Sequence, residues 1–287
     1  LEIVLRKGCQ LKKFFRRMFI ILLAVYFGMA LLVFLFQRKF LYHPTNAAIE
    51  ELVPAAAGFG YVPWTNSAGQ FIGWKQIAKG PGAQKQLLIV HGNGGCAINR
   101  VRYANGLQAV EMWDVYLLEY PGYGAREGSP SQQAFFDAAS EALELLKKKG
   151  NVYVMGESLG TGVACHLAGA NPESVAGVLL IAPYNRLTGV AQQHMPIFPV
   201  GLLLWDRYPA EDYLKNYHGP VAMLFAGSDV VVPNKFGHAL YDGYNGPKIF
   251  TEVPGAGHND LMDEPDEYWR SLVKFWNEHH TVAPGGR

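Results

Sequence analysis

Cysteine is scarce in this 287-residue chain. Only Cys9, Cys96 and Cys165 occur, and their wide spacing forms neither a disulfide framework nor a zinc-binding pattern. Charge is sparse as well, at 17% of residues. Beyond the first 43 residues no Lys/Arg cluster of the kind that grips nucleic acid appears, so no nucleic-acid partner is expected. Internal repeats and low-complexity blocks are absent too. No residue pattern calls for a cofactor or a metal, and none is expected.

One long hydrophobic run is present. Met18 to Phe36, MFIILLAVYFGMALLVFLF, is 19 residues without a charge. As a helix it would span roughly 28 Å, about the thickness of a bilayer's hydrocarbon core. A cleaved signal peptide has a shorter apolar region that ends at a small-residue site. Here Gly28-Met29-Ala30 is followed by six more apolar residues and then Gln37-Arg38-Lys39, which favours an uncleaved transmembrane anchor. Residues 1–43 hold eight Lys/Arg and one acid, Glu2, leaving 17 basic against 23 acidic residues in the remainder. A basic leader thus precedes an acidic body. Six basic residues before the run and two after it put the N-terminus in the cytoplasm by the positive-inside rule and the body on the non-cytoplasmic side, with Arg38 and Lys39 pulling against that orientation. The expected organisation is a basic segment over 1–17, a single-pass anchor over 18–36 and one catalytic domain over 44–287.

The body alternates short apolar runs with helical patterns. Strands are expected at Phe71 to Ala78, Gln86 to Val90, Val115 to Leu118, Val152 to Met155, Val178 to Ile181, Val221 to Phe225 and Ile249 to Val253. Several runs are continuously apolar, as in strands covered on both faces. Helices are expected near 97–110, 131–149, 158–170, 234–243 and 264–279, with Ser131 as an N-cap and Lys147 to Gly150 as a stop. Such alternation predicts an α/β fold with a doubly wound, mostly parallel sheet.

In sheets of this kind functional residues gather beyond the carboxyl ends of strands. His91-Gly92-Asn93-Gly94-Gly95 follows one run, and Gly156-Glu157-Ser158-Leu159-Gly160 follows another. Ser228-Asp229 and Gly257-His258-Asn259-Asp260 follow the last two. A serine between glycines at a strand–helix turn, then an aspartate, then a histidine, is the chain order of an α/β-hydrolase triad. Ser158 is the expected nucleophile. His258 would take its proton, and Asp229 would hold the imidazole's tautomer and steady its positive charge. Leu159 and Asn93 are expected to donate the two backbone N–H groups of the oxyanion hole. Each piece alone has a bland reading as a turn or a surface histidine; the joint order is what points to catalysis.

Other side chains fit less well. His166 is eight residues along the helix from Ser158, roughly 12 Å by helical rise, too far to act as the base. Asp260 and Asp263 follow His258 too closely to be preferred as its orienter. His91 is expected to shape its loop, and Glu157 and Tyr123 flank the site as either supporting groups or bystanders.

Phe40-Leu41-Tyr42-His43-Pro44 after an anchor, His91-Gly92-Asn93-Gly94, Tyr120-Pro121-Gly122-Tyr123-Gly124, the Ser158 turn and Gly255-Ala256-Gly257-His258-Asn259-Asp260 together resemble the membrane-anchored α/β-hydrolase-domain proteins. This group is similar to prolyl-oligopeptidase-like serine hydrolases and includes protein depalmitoylases and lysophospholipid lipases. The resemblance, over about residues 18–278, implies the same triad positions and an α/β-hydrolase fold. Glu119-Tyr120 stands where the family often has Asp-Tyr, and Ala182-Pro183-Tyr184 where it often has Ser-Pro-Phe; neither departure touches the triad.

Residues 184–218 form the longest insertion between strands, where such folds place a cap. Its run Met195 to Trp205 would bind an acyl chain if it lined the site mouth, or be ordinary core if packed on the sheet. The expected activity is hydrolysis of acyl esters or thioesters through an acyl-enzyme, on a small-molecule, lipid or acylated-protein substrate held at the membrane. A serine peptidase of the prolyl-oligopeptidase-like group and a non-catalytic hydrolase-fold binding protein remain as alternatives.

Overall fold

The computed structural model describes residues 2–77 and 85–279. Ala78, the expected end of the first strand, and the last residues of the expected domain, 280–287, lie outside the described residues. Helix α1 (Glu2–Leu41) is continuous. It runs past the charge-free stretch at both ends, through Lys and Arg residues whose unbranched side chains have good helix propensity. The portion Gln10–Leu41 is long and apolar enough to cross a membrane by length and composition.

Eight strands build one sheet: β1 (Val62–Thr65), β2 (Phe71–Gln76), β3 (Lys85–Val90), β4 (Asp114–Leu118), β5 (Asn151–Glu157), β6 (Val175–Ile181), β7 (Val221–Ala226) and β8 (Lys248–Val253). Their spatial order is β1-β2-β4-β3-β5-β6-β7-β8. Pairing is antiparallel at β1–β2 and β2–β4 and parallel from there on. The order reverses at β3, whose neighbours are β4 and β5, so a crevice opens at the carboxyl ends of β3 and β5. Strand β1 and helix α2 (Ile49–Gly58) were not expected. Pro63 argues against a strand by removing a ladder donor, and it is tolerated because β1 is the sheet edge.

Helices cover both faces. On one, Phe135, Ala139 and Leu143 of α4 (Gln132–Leu146) and Val163 and Leu167 of α5 (Leu159–Ala170) share a core with Leu88, Val154 and Leu180. On the other, Leu107 of α3 (Val101–Gln108) and Trp269, Leu272 and Trp276 of α10 (Asp266–His279) meet Leu87, Tyr153 and Leu179. Alternate residues of each strand serve opposite faces, which is why these runs are apolar throughout. Cys165 lies in the first core and Cys96 in the second, both as free thiols. The Ser131 hydroxyl caps α4 by accepting from the Ala134 N–H at 3.1 Å, and α9 (Asn234–Gly243) has its expected bounds. The helix expected over 97–110 instead starts as a 3₁₀ turn, Ala97–Arg100, before α3.

The insertion folds as three short helices, α6 (Leu187–His194), α7 (Val200–Leu203) and α8 (Ala210–Leu214). Most of the run Met195 to Trp205 packs along α1, and only Leu204 at its end also packs against the core. Tyr26 stacks on Phe198 at 5.9 Å, and Phe34 meets Trp205 edge-on at 5.0 Å. At the end of α1, buried Asp206 accepts from Arg38 Nε at 2.9 Å and from the Tyr42 hydroxyl at 2.9 Å, and Tyr42 in turn lies 2.9 Å from the Tyr208 hydroxyl. Asp206→Ala would remove the acceptor of a charged hydrogen bond from half-exposed Arg38 and leave the buried Tyr42 hydroxyl with Tyr208 alone, so it should cost about 2 kcal/mol. The check is the thermal unfolding midpoint of the detergent-solubilised chain, which should fall; an unchanged midpoint would mean that packing alone joins α1 to the body.

Candidate active site

Strand β5 ends at Glu157 and α5 opens at Leu159, so the chain reverses over the single residue Ser158. Its backbone sits at φ 50°, ψ −117°, a region that residues with side chains avoid. Neighbours hold it there. The Ser158 N–H donates to the Ile181 carbonyl of β6 at 2.8 Å, and its own carbonyl accepts from the Thr161 N–H at 2.9 Å and the Thr161 hydroxyl at 2.7 Å. The flanking glycines answer to space. A Cβ on Gly160 would stand 2.3 Å from the Val90 carbonyl oxygen, and one on Gly156 would stand 2.5 Å from that of Gly160. Strand β3, strand β5 and helix α5 approach each other too closely for any side chain at either position.

Three strand ends converge on the serine. His258, five residues past β8, places Nε2 2.9 Å from Ser158 Oγ and Nδ1 2.7 Å from Asp229 Oδ2. The carboxylate fixes the tautomer: Nδ1 carries the proton and donates, leaving Nε2 free to accept from the hydroxyl. Asp229, three residues past β7, is buried, and its other oxygen accepts from the Val231 and Val232 N–H groups at 2.8 and 2.7 Å. The Ser228 N–H donates to the Ala256 carbonyl at 2.8 Å, tying the acid's loop to the histidine's loop. All three residues expected from the sequence are therefore in one hydrogen-bonded row. The passed-over carboxylates turn elsewhere: Asp260 accepts from the Gly257 N–H at 2.8 Å, and Asp263 pairs with Arg102. His166 stacks on Phe136 at 3.7 Å, and burial lowers its pKa.

The loop after β3 lies beside the serine because Val90 pairs with Gly156. Leu159 N–H is the first of α5, a position without an intrahelical acceptor. Asn93 is held by its other groups. Its carbonyl accepts from the Tyr123 hydroxyl at 2.8 Å, and its side-chain oxygen accepts from the His43 N–H at 3.3 Å. Among the described residues no hydrogen bond uses its own N–H. Gly92 N–H donates to Glu157 Oε2 at 2.9 Å, and the same oxygen accepts from Arg100 Nε at 2.7 Å. Both Glu157 and Arg100 are buried. Burial alone would lower the guanidinium's pKa, but Glu157 outweighs it and holds the value above the ordinary one. His91 is buried against Tyr120 at 4.3 Å and donates from Nδ1 to the Gly92 carbonyl at 2.8 Å. Its Nε2 lies 3.3 Å from buried Glu119, whose carboxylate accepts from the Ala97 N–H at 3.1 Å.

Glu157 and Tyr123 thus both brace the loop that carries Asn93. Arg100 and His43 escaped the sequence reading. Arg100 stands in a helical turn two residues before Arg102, and nothing local announces a partner 57 residues away. His43 acts through its backbone, in a two-residue parallel ladder of His43–Pro44 with Gly94–Gly95.

A family model described as the alpha/beta hydrolase fold matches residues 85–202. An uncharacterized protein of Mycobacterium tuberculosis is 32% identical over 246 residues, covering 82% of this chain and 86% of that one. Protein bem46 of Schizosaccharomyces pombe is 27% identical over 220 residues, 72% of each chain. Among solved structures, the esterase Pf2001 of Pyrococcus furiosus superposes with a TM-score of 0.62 at 15% identity, covering 84% of this chain and 98% of that one. With its strand order, its serine turn and these relatives, the chain belongs to the α/β-hydrolase family.

Proposed function

We propose that this chain is a serine hydrolase that cleaves acyl esters or thioesters held at a membrane. The observation that carries the reading is the row Ser158 Oγ, His258, Asp229 at 2.9 and 2.7 Å. Ser158 Oγ attacks the acyl carbonyl as its proton passes to His258 Nε2. The tetrahedral oxyanion accepts from the Leu159 and Asn93 N–H groups. His258 then gives the proton to the departing alcohol or thiol, and an acyl-serine ester remains. Water, deprotonated by the same nitrogen, attacks that ester and releases the carboxylic acid with Ser158 restored. Asp229 stays ionised throughout and steadies the imidazolium. An idle binding protein has no need to keep all three groups aligned.

The membrane part of the reading rests on α1. Its apolar length matches a bilayer, and the excess of basic residues before the charge-free run favours a cytoplasmic N-terminus with the catalytic body on the opposite side. Residues 43–47 are strapped to the body by Thr45 N–H to the Gly95 carbonyl and Ala47 N–H to the Gly124 carbonyl, both at 3.1 Å. The site therefore stays close to the bilayer, where long acyl substrates concentrate at high effective molarity.

Ser158→Ala should abolish labelling by a fluorophosphonate probe and lower turnover by several orders of magnitude while the chain stays folded; a variant that labels like the parent would remove Ser158 from the nucleophile's role. Asp229→Asn should keep the geometry but favour the wrong imidazole tautomer, lowering kcat on the order of 10⁴-fold. Ester hydrolysis measured in steady state decides it, and near-parental kcat would mean that another group orients His258. Glu157→Gln keeps the shape but halves the charge balance with Arg100. By loosening Gly92–Asn93 it should lower kcat roughly 10- to 100-fold, a fraction of an oxyanion donor's worth, with KM little changed. A rise in KM at constant kcat would instead assign Glu157 to substrate binding.

A further inference from the structure

Between α1 and the cap lies a cavity of about 180 Å³. Val33, Phe34 and Phe40 form one wall, and Ala191, Met195 and Leu203 form the other. None of Ser158, Asp229 and His258 lines it. Its rim nevertheless reaches the triad's support. His194, also a wall residue, donates from Nε2 to the Val231 carbonyl at 2.8 Å, and the Val231 N–H is one of the two that hold Asp229.

The depth of this cavity follows from α1. The charge-free stretch must occupy the hydrocarbon if α1 spans a bilayer. Tyr26, in the middle of that stretch, donates its hydroxyl to the Ile197 carbonyl at 2.9 Å. Tyr26 lies twelve residues before Arg38, roughly 18 Å down the helix axis. The tip of the cap would then sit well below the level of Arg38 and Asp206, inside the hydrocarbon.

The cap segment is built for that place. From Leu187 to Trp205 it has no Asp, Glu, Lys or Arg, and the charges resume at once with Asp206 and Arg207. Ile197 and Leu202 point outward, 64% and 81% exposed, an arrangement costly in water and natural in lipid. Irregular backbone survives in hydrocarbon only where its polar groups are satisfied within the protein. Here most of them are. From Met195 to Trp205, among the described residues, seven N–H groups have an acceptor, those of Ile197 and Gly201 do not, and Pro196 and Pro199 have none to satisfy. The Gln192 side chain spans the turn, donating to the Phe198 carbonyl at 3.0 Å and accepting from the Val200 N–H at 3.1 Å. Gln37 closes the other end, donating to the Leu203 carbonyl at 3.1 Å and accepting from the Trp205 N–H at 2.7 Å.

We infer that the cap segment Met195 to Leu204 lies in the bilayer beside α1, and that the cavity between them takes up a fatty acyl chain of a membrane lipid. This rests on the reading of the chain as a membrane-held acyl hydrolase and names where its substrate's chain is received. Apart from Gln37 and His194 the walls are apolar, and the flanking surface would be in contact with lipid. A chain can enter sideways from the bilayer without crossing water.

The test uses the full chain with Ser158→Ala, so that no turnover is needed, reconstituted in phosphatidylcholine vesicles. A trace of phosphatidylcholine carries a diazirine near the end of one acyl chain. After photolysis, label should be found on Phe34, Met195 or Leu203 as well as on the outward-facing Ile197 and Leu202. Ala191→Trp and, separately, Val33→Trp fill the cavity from opposite walls. Each should lower the wall label roughly tenfold, the loss expected when a pair of methylene contacts is removed, and leave the label on Phe19 and Leu22 of α1 as an internal standard of insertion. Label confined to α1's outward side, or wall label undiminished in both variants, overturns the inference. If fluorophosphonate fails to label the parent chain while this cross-linking pattern holds, the hydrolase reading fails and the acyl site stands.

Discussion

The tight contact of β3, β5 and α5 at Ser158 is the constraint on which the site depends. A residue with a side chain is held at positive φ, and such strain of order 1–3 kcal/mol persists only when the surroundings over-determine it. Here they do. Gly160 lies against the Val90 carbonyl, and Ile181 and Thr161 hold both ends of the serine's peptide groups. The same contact sets β3's trailing loop alongside Ser158. One close approach thus positions both the serine hydroxyl and the loop that carries Asn93.

Buried carboxylates then do the orienting, each accepting from backbone N–H groups as well as meeting a side chain. Asp229 takes two from its own loop, Glu119 takes one from Ala97, and Glu157 takes one from Gly92 besides the Arg100 side chain. A buried charge without such partners would be costly. With them it becomes a rigid bracket, because a carboxylate that accepts several bonds cannot move without stranding its donors. Catalytic loops that would be mobile on the surface are pinned in this way from beneath.

Helix α1 is part of the same construction. Its last turn, through Arg38 and Tyr42, meets the cap at Asp206 and Tyr208, and the next residues run beside Gly94–Gly95. The cap's apolar run reads from sequence as either core or site mouth, and most of it packs along α1 instead. Its partner is a helix more than 150 residues earlier, and only the folded chain brings them together.

Much of this protein was legible in its sequence. The apolar runs marked seven of the eight strands, because most of them are buried on both faces and leave little room for polar residues. Ser158, Asp229 and His258 could be picked out because each stands just past such a run, and the glycines beside the serine betray its crowding. What local pattern could not express was left to the tertiary structure. Strand β1 carries a proline that only an edge position excuses. Arg100 has no signature without Glu157 opposite it. The backbone N–H groups of His43, Val231 and Val232 serve the site, and every residue but proline has one. Sequence records side-chain chemistry and its periodicity, so it determined the sheet and which serine, aspartate and histidine stand at its strand ends. Long-range juxtaposition has no such record, so the bracing of the loop and the seating of the cap on α1 were decided only when the chain closed on itself.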